Sequence, residues 1–599
     1  KSDNYDTIEA TTAGLFTQTA ALRADLNKAI EGLRNAFVLG EGVTPEEAGW
    51  RKVLDENLKE VQRLIERNAS ANEALSALKG SLDIFISSVD PVNLSTGNFY
   101  YDKEDIRINA VYSIYIRRYY NARDNLSGAF GHGWIHNYEK RIREKDKKLV
   151  LIKEDGKEIK FRKSRDGKYR DIDTGLEEID IVPADNEETD VNAGTNGTSS
   201  PAAAYIHRDG RGIISSYDKE GHLIREEDGN GNKISLKYTD ADRTEYRTDK
   251  EKGAGNKAEG KDRGRRLREV TDGYASLYFE YDEKGYLVRV SDHTGRSISY
   301  GYGKDRINAA GGDDADIRIL TSVTNAEGNT VSYHYGLNGK LRSITNARGI
   351  QTVLNEYDAY ARVIRQSFPD GGEMSYGYND KDRLVTLTER NGSRITYEHD
   401  ELYRNIRTIY HDSEEIYEYN GRNRKVRYTD RNGNTYRYSY DPKGNLTQSI
   451  SPDGTKTNMT YDAKGHLISV KVNGITRQKN SYDTKGNLTE TEDALSRKTR
   501  VSYNSRGQAE KITAPDGSVT ELKYDDKGNI TGIKDPAGEE TGYAYDAFNR
   551  VTETRDGNGN KTRYGYNSLD KIVSVINPEG NERKYTYNAS GRVESITDF

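Results

Sequence analysis

His132 and His136, four residues apart, are the nearest approach in this 599-residue chain to a metal-ligand pair. Gly133 lies between them and works against the helix that would present both imidazoles to one ion, so an ordered turn is the better reading of this stretch. Three loops offer oxygen ligands in the style of calcium sites: DGNGN at 228–232, DRNGN at 430–434 and DGNGN at 556–560. They lack the closing glutamate of an EF-hand and the nine-residue period of a calcium β-roll, and Asp or Asn beside Gly builds a turn unaided. There is no Gly-x-Ser-x-Gly, no Gly-x-x-x-x-Gly-Lys phosphate loop and no cysteine. Carboxylates are so numerous that their pairing carries no information. The chain thus reads as a non-enzyme with no catalytic, cofactor-binding or metal-ligating residue to name, and with no cofactor.

The residues that do recur at fixed spacing are tyrosines. From Tyr419 a tyrosine returns every 21 residues at Tyr440, Tyr461, Tyr482, Tyr503, Tyr524, Tyr545, Tyr566 and Tyr587, each followed by Asp or Asn. A period of this length marks a repeat architecture. In TYRYSY (435–440) tyrosines alternate with polar residues, which predicts a half-buried strand with Tyr436, Tyr438 and Tyr440 on one face. DPKGN follows: Asp441 bonds the backbone ahead of it and Gly444 is free to take a positive φ. The pattern returns as Asp462 with Gly465, Asp483 with Gly486, Asp525 with Gly528, and Asp546. A return strand, a second turn such as PDG (452–454) and the next tyrosine strand complete one hairpin per period. The return strand often spaces its apolar pair by three, as in Ile530 with Ile533 and Ile572 with Val575. A bulge reconciles that spacing and curves the sheet.

Composition agrees with a wall of tyrosine. Hydrophobic residues make up 33%, with 44 Tyr against 10 Phe and 2 Met. The 91 basic and 97 acidic residues leave a net charge of −6, which argues against nucleic acid as a main partner. No apolar run approaches the ~18 residues of a membrane helix. Lys1 is not an initiator methionine, so the natural N-terminus and any export signal are expected to lie outside the sequence.

The chain divides into four parts. Residues 1–80 carry apolar stripes at helical spacing (Leu15 to Phe37, Leu54 to Ile65), split by a capping signal at TPEE (44–47), and predict an α-helical hairpin. Residues 81–180 read as a β-rich domain. Residues 181–204 are aperiodic and rich in Asn, Gly, Thr, Ser and Ala, a flexible insertion. Residues 205–599 are the repeat array, irregular at first, with insertions near 242–266 and 309–314; His399 replaces the tyrosine in register and reads as a structural stand-in. Counted from Tyr217, about 17 hairpins give ~34 strands. Open sheets rarely exceed about ten strands without curling, and nothing encoded covers the second face. The expected fold is mainly β: a spiral, hollow shell of antiparallel hairpins, preceded by the helical hairpin.

The motifs Asp90-Pro91-Val92, TGNF with Gly97, RYYN with Tyr119 and Asn121, and GAFGHGWIHNYE with Phe130, Gly131, Gly133, Trp134, Asn137 and Tyr138 resemble the domain that precedes the repeats in the Rhs, or YD-repeat, family. The 21-residue Tyr-Asp-x-x-Gly unit resembles that family's repeat, and the likeness covers residues 85–599. It implies a hollow β-shell like those of bacterial Rhs toxins, the C component of insecticidal toxin complexes and teneurins, secreted or on the cell surface of a bacterium. The bacterial members enclose a variable C-terminal toxin.

Two functions remain in view. One is the shell of a polymorphic toxin, with a C-terminal toxin domain and an export or chaperone partner reached through the N-terminal helices. The other is a cell-surface adhesin whose exposed tyrosine rows bind glycan. The repeats run to Thr597, Asp598 and Phe599 with no closing motif, so no self-cleaving aspartate is assigned; Asp441 and Asp535 belong to repeat turns. An open final edge is expected.

Overall fold

A computed structural model describes residues 92–598, except 123–126, 146–147, 173–176, 183–203, 211, 241–264, 306–316 and 337–338. The expected helical hairpin, Asp90 and Pro91, and nearly all of the insertion at 181–204 fall outside the described residues. Within them the chain forms 46 strands, β1 to β46 in chain order, and no helix. From β13 (Ile214–Tyr217) to β46 (Val593–Thr597) there are 34 strands, the number given by counting tyrosine hairpins.

Three sheets are built, the smallest a pair of β4 (Ser127–Gly128) with β5 (Gly131–His132). A four-stranded sheet in the order β1-β2-β3-β6 uses Val92–Asn93, Asn98–Ile108, Ile114–Asn121 and Trp134–His136. The forty strands from β7 (Arg141–Lys145) to β46 form one antiparallel sheet in which chain neighbours pair. A closing bridge occurs at its first strand, where Arg141 bridges His222 and Ile142 N–H donates to the Gly221 carbonyl at 2.9 Å. In the described registers β46 pairs with β45 (Glu582–Tyr587), and its five residues are exposed.

The predicted bulge recurs along the regular array. In β31 (Thr435–Tyr440) and β32 (Leu446–Ile450), Ser439 faces Gln448 but Tyr440 faces Leu446, so Thr447 is the extra residue. The same shift accompanies Tyr461, Tyr482, Tyr503, Tyr524, Tyr545, Tyr566 and Tyr587. It rotates the apolar pair of the return strand onto one face: Leu467 and Val470, three apart, are both buried.

One edge of the sheet carries the turns that follow the tyrosines, such as 441–445; the other carries the turns that precede them, such as 451–455. Opposite edges meet. Asn232 Nδ2 donates to the Arg506 carbonyl, Asn487 Nδ2 to Asn230 Oδ1, His293 Nε2 lies 3.2 Å from the Ala547 carbonyl, and Ser568 N–H donates to Glu327 at 2.8 Å. His293 follows β18 (Leu287–Asp292) and Ala547 follows β41 (Glu540–Tyr545), so the strip returns to itself after 23 strands.

Candidate functional site: the tyrosine face

Each repeat tyrosine ties its strand to the hairpin before it. Tyr440 Oη donates to the Lys425 carbonyl at 2.8 Å, Tyr461 to Leu446 at 2.8 Å, Tyr482 to Leu467 at 3.0 Å and Tyr503 to Leu488 at 2.8 Å. Tyr419, Tyr524, Tyr545, Tyr566 and Tyr587 make the equivalent bond, to Asn405, Ala509, Ile530, Val551 and Ile572. The acceptor lies 14 or 15 residues back, at the first residue of the previous return strand. A phenylalanine would pack there but could not donate, which explains why tyrosine dominates the composition. Burial pushes the Tyr440, Tyr461 and Tyr482 hydroxyls well above the usual tyrosine pKa, so they stay neutral donors.

The turn residues act as the pattern predicts. Asp441 Oδ1 accepts Asn445 N–H and Oδ2 accepts Asn445 Nδ2, both at 2.8 Å, while Gly444 sits at φ +93°. Asp462, Asp483, Asp525 and Asp546 repeat the cap. The calcium-like loops work in the same way: Asp430 and Asp556 each spend one oxygen on two backbone N–H groups and the other on an asparagine amide. Turn formation therefore accounts for those carboxylates.

The pre-repeat motif sits against this same face. Trp134 is fully buried and its Nε1–H donates to Tyr335 Oη at 2.9 Å; Tyr120 Oη accepts Leu341 N–H at 2.8 Å. Phe130 packs 4.7 Å from the Tyr300 ring, and the Gly97 carbonyl accepts Val363 N–H. At the core of the contact Arg118 and Asp105, both almost fully buried, form an ion pair that also bonds Tyr333 and Tyr300. Asn137 binds Arg117 N–H and the Tyr115 carbonyl, and Tyr138 Oη accepts Tyr115 N–H. Gly131 and Gly133 lie at φ +89° and +77°, where a Cβ would meet the Arg318 carbonyl and the Tyr120 ring. Tyr119 and Asn121 pair with Asp102 and Tyr100 across β2 and β3. His136 is buried against Phe130 and Phe279, its Nδ1 accepting Tyr138 N–H.

In the tyrosine strands from β33 (Lys456–Tyr461) to β43 (Lys561–Tyr566), the inward triplets read Thr457-Met459-Tyr461, Gln478-Asn480-Tyr482, Thr499-Val501-Tyr503, Thr520-Leu522-Tyr524, Thr541-Tyr543-Tyr545 and Thr562-Tyr564-Tyr566. None is charged. The opposite face carries the ions, as in Arg500 with Glu490, Lys523 with Glu540 and Arg563 with Glu553.

Two clusters escaped the motif search. Glu415 accepts the hydroxyls of Tyr410, Tyr417 and Tyr428 at 3.0, 2.8 and 2.6 Å, beneath a stack of Tyr417, Tyr428 and Tyr436 with Lys425 Nζ 4.6 Å from the Tyr417 ring. Its glutamate lies in an ordinary alternating strand and carries no local signal. Asp218, Glu220 and His222 bring three ligand-type atoms within 4.8 Å of one another. Arg265 ion-pairs with Asp218 and lies 3.8 Å from Glu220, so a guanidinium already supplies positive charge there.

Comparison with known proteins matches both segments. Residues 89–161 match a domain of unknown function (DUF6531), and residues 356–472 and 417–597 match the teneurin YD-shell model. The tRNA nuclease WapA of Bacillus subtilis (strain 168) is 25% identical over 310 residues, 51% of this chain. The tRNA(Glu)-specific nuclease WapA of Bacillus subtilis subsp. natto (strain BEST195) is 26% identical over the same length. The chain spans 12% of the length of these relatives. Among solved structures, TcdB2-TccC3 without its hypervariable C-terminal region aligns over 80% of this chain and 26% of its own, at 13% identity and TM-score 0.40. A Photorhabdus luminescens Tc holotoxin pore aligns over 86% and 34%, at 11% and 0.29. With the pre-repeat domain and the tyrosine repeats both matched, in that order, the chain belongs to the Rhs/YD-repeat family.

Proposed function

We propose that this chain is the structural, encapsulating shell of a secreted Rhs-type polymorphic toxin, a non-enzymatic wall around a C-terminal toxin cargo that is not part of the sequence. The observation that carries the reading is the inward face of the tyrosine strands from β33 to β43, whose triplets carry no charge. At ~4.8 Å per strand, 23 strands make a circumference of ~110 Å and a diameter of ~35 Å before strand tilt, enough for a lumen between opposed walls. A lining of tyrosine, threonine and aliphatic side chains can contact a polypeptide without ion-pairing to it. The expected division at 1–80, 81–180, 181–204 and 205–599 fits this role, with the segment 1–80 expected to serve an export or chaperone partner and the repeats forming the wall. Among the described residues no helix is long and apolar enough to cross a membrane, and the family likeness supports a secreted or cell-surface bacterial location. The teneurin YD-shell match and a relative named as a tRNA nuclease support a shell beside a toxin. The adhesin alternative asks for outward tyrosine rows, and the outward face of the regular repeats carries ion pairs instead.

The test fuses an unstructured reporter peptide after Phe599 and measures its proteolysis. Protection of the reporter in the fusion, lost on unfolding the array, is the expected result. Cleavage at the rate of the free peptide refutes encapsulation.

A further inference from the structure

The hairpin of β2 and β3 does more than pack against the first turn of the strip. Its tip also reaches the second. The Arg107 carbonyl accepts Arg296 Nη2 at 3.1 Å, and Arg296 holds Asp570 at 2.7 Å and stacks 4.6 Å from the Phe548 ring. The Asn109 carbonyl accepts Asn549 Nδ2 at 2.5 Å. Val111 fills the space that a side chain at position 528 would need. Arg296 lies on a turn of the first circuit; Gly528, Asn549 and Asp570 lie on three successive turns of the second. Three backbone layers meet at one loop.

Asn549 stands where the preceding five repeats have glycine: Gly444, Gly465, Gly486, Gly507 and Gly528, all at positive φ; Asn423 and Asp570 are the other side-chain-bearing residues at this position from 423 to 570. Asn549 keeps that backbone, at φ +59°, and is only 7% exposed. An asparagine tolerates the left-handed region better than most residues but less well than glycine. Here its amide is the group that grips the hairpin.

We propose that residues 107–111 are a clasp that holds successive circuits of the strip together, with Arg296 and Asn549 as its catches. The remaining edge-to-edge contacts described above are single hydrogen bonds between turns, each weak beside the strand ladder. A clasp anchored in the buried pre-repeat domain adds what those contacts lack, a tether to the core. Withdrawing that domain then frees the seam. The inference rests on the coiling of the strip and is independent of any cargo.

Hydrogen–deuterium exchange of the whole chain tests it. Ser568 N–H, at a turn tip, is bonded across the seam to Glu327 and reports closure directly. Asn549→Gly restores the residue of the neighbouring repeats and fits the backbone, so folding is preserved. In Asn549→Gly, and more so combined with Val111→Ala, exchange in turn 567–571 is expected to rise roughly tenfold while β31–β34 is unchanged. Glu327→Ala removes the acceptor, should speed exchange in that turn alone and so calibrates the readout. Unchanged exchange in turn 567–571 for the double variant overturns the clasp. So does an equal rise throughout 92–140, because the tip then serves only to hold its own domain. If the double variant does not fold, the single Asn549→Gly comparison decides.

Discussion

Truncating Tyr438 separates the two jobs of the repeat tyrosines, packing and tethering. Tyr438 is 5% exposed and packs with Leu446, Met459, Leu467 and Val470 in a cluster distinct from the main core. Removing a buried aromatic ring costs ~3–5 kcal/mol; in a small cluster at the surface of a sheet that can relax, the lower figure applies, ~3 kcal/mol. Tyr440→Phe keeps the ring and loses only the 2.8 Å bond to the Lys425 carbonyl, a net effect of ~1 kcal/mol. In a repeat array each unit is stabilised mainly by its neighbours, so both effects stay local. At 1.4 kcal/mol per tenfold, Tyr438→Ala raises amide exchange in β31–β34 by ~100-fold and Tyr440→Phe by ~fivefold. Native-state hydrogen exchange under freely reversible opening measures both. Equal effects of the two substitutions refute the division of labour. A loss of protection spread evenly from β7 to β46 refutes the local-stability argument.

Acid should act through Glu177. Burial alone raises its pKa, but the bond to His207 and the Lys153 ammonium, each at 2.8 Å, outweigh it and bring the carboxyl down to about 2. A depressed carboxylate contributes stability that is complete above its ordinary pKa of 4.5 and is lost as pH falls toward 2. Glu177→Gln should flatten that arm of an acid-unfolding curve. His136 has its pKa lowered by burial, against the opposing pull of Glu139 at 3.8 Å, so its neutral form favours folding. Its contribution is present above pH ~6.5 and declines as pH drops through that value. Trp134 fluorescence should shift over that range, and His136→Phe should remove the shift. Gly221→Ala should destabilise far more than Gly454→Ala, measured by thermal melting. A Cβ at 221 drives into the Ile142 carbonyl, whereas at 454 it meets nothing within 4 Å and bears only the positive-φ strain of ~1–2 kcal/mol.

What the sequence revealed of this molecule follows the range of the forces involved. Strand, turn and bulge are local: Tyr436, Tyr438 and Tyr440 alternate within six residues, Asp441 caps its own turn, and the three-residue spacing of Ile530 and Ile533 betrays the extra residue. Those features were legible, and so was the strand number, because each hairpin carries its own tyrosine. The hydroxyl tether was not read from the sequence, although its cue was present: a phenylalanine would satisfy every packing requirement, and the chain has 44 Tyr against 10 Phe. The Glu415 cluster joins residues 2 to 13 apart, from the end of β28 (Asn405–Ile409) through β29 (Glu414–Tyr419) to β30 (Lys425–Thr429), and Asp218 meets Arg265 across a 47-residue separation, so neither leaves a linear pattern.

The seam lies at the far end of that scale. Whether turn 228–232 meets turn 483–487 or a neighbour of it depends on how much each bulged pair bends the sheet, summed over some 23 strands. A small error in one twist angle accumulates into a displacement of whole strands, so no local reading could register the two circuits. The protein faces the same difficulty in folding, since near-identical repeats offer near-identical edges to one another. The irregular residues are therefore where register can be fixed. Asn549 in a glycine position, Asp570 in another, and Phe548 beside them are departures from the repeat that the wall itself does not require, and all three are used where the hairpin tip meets both circuits. On this argument the degenerate positions build the wall, and the exceptions determine which part of the wall meets which.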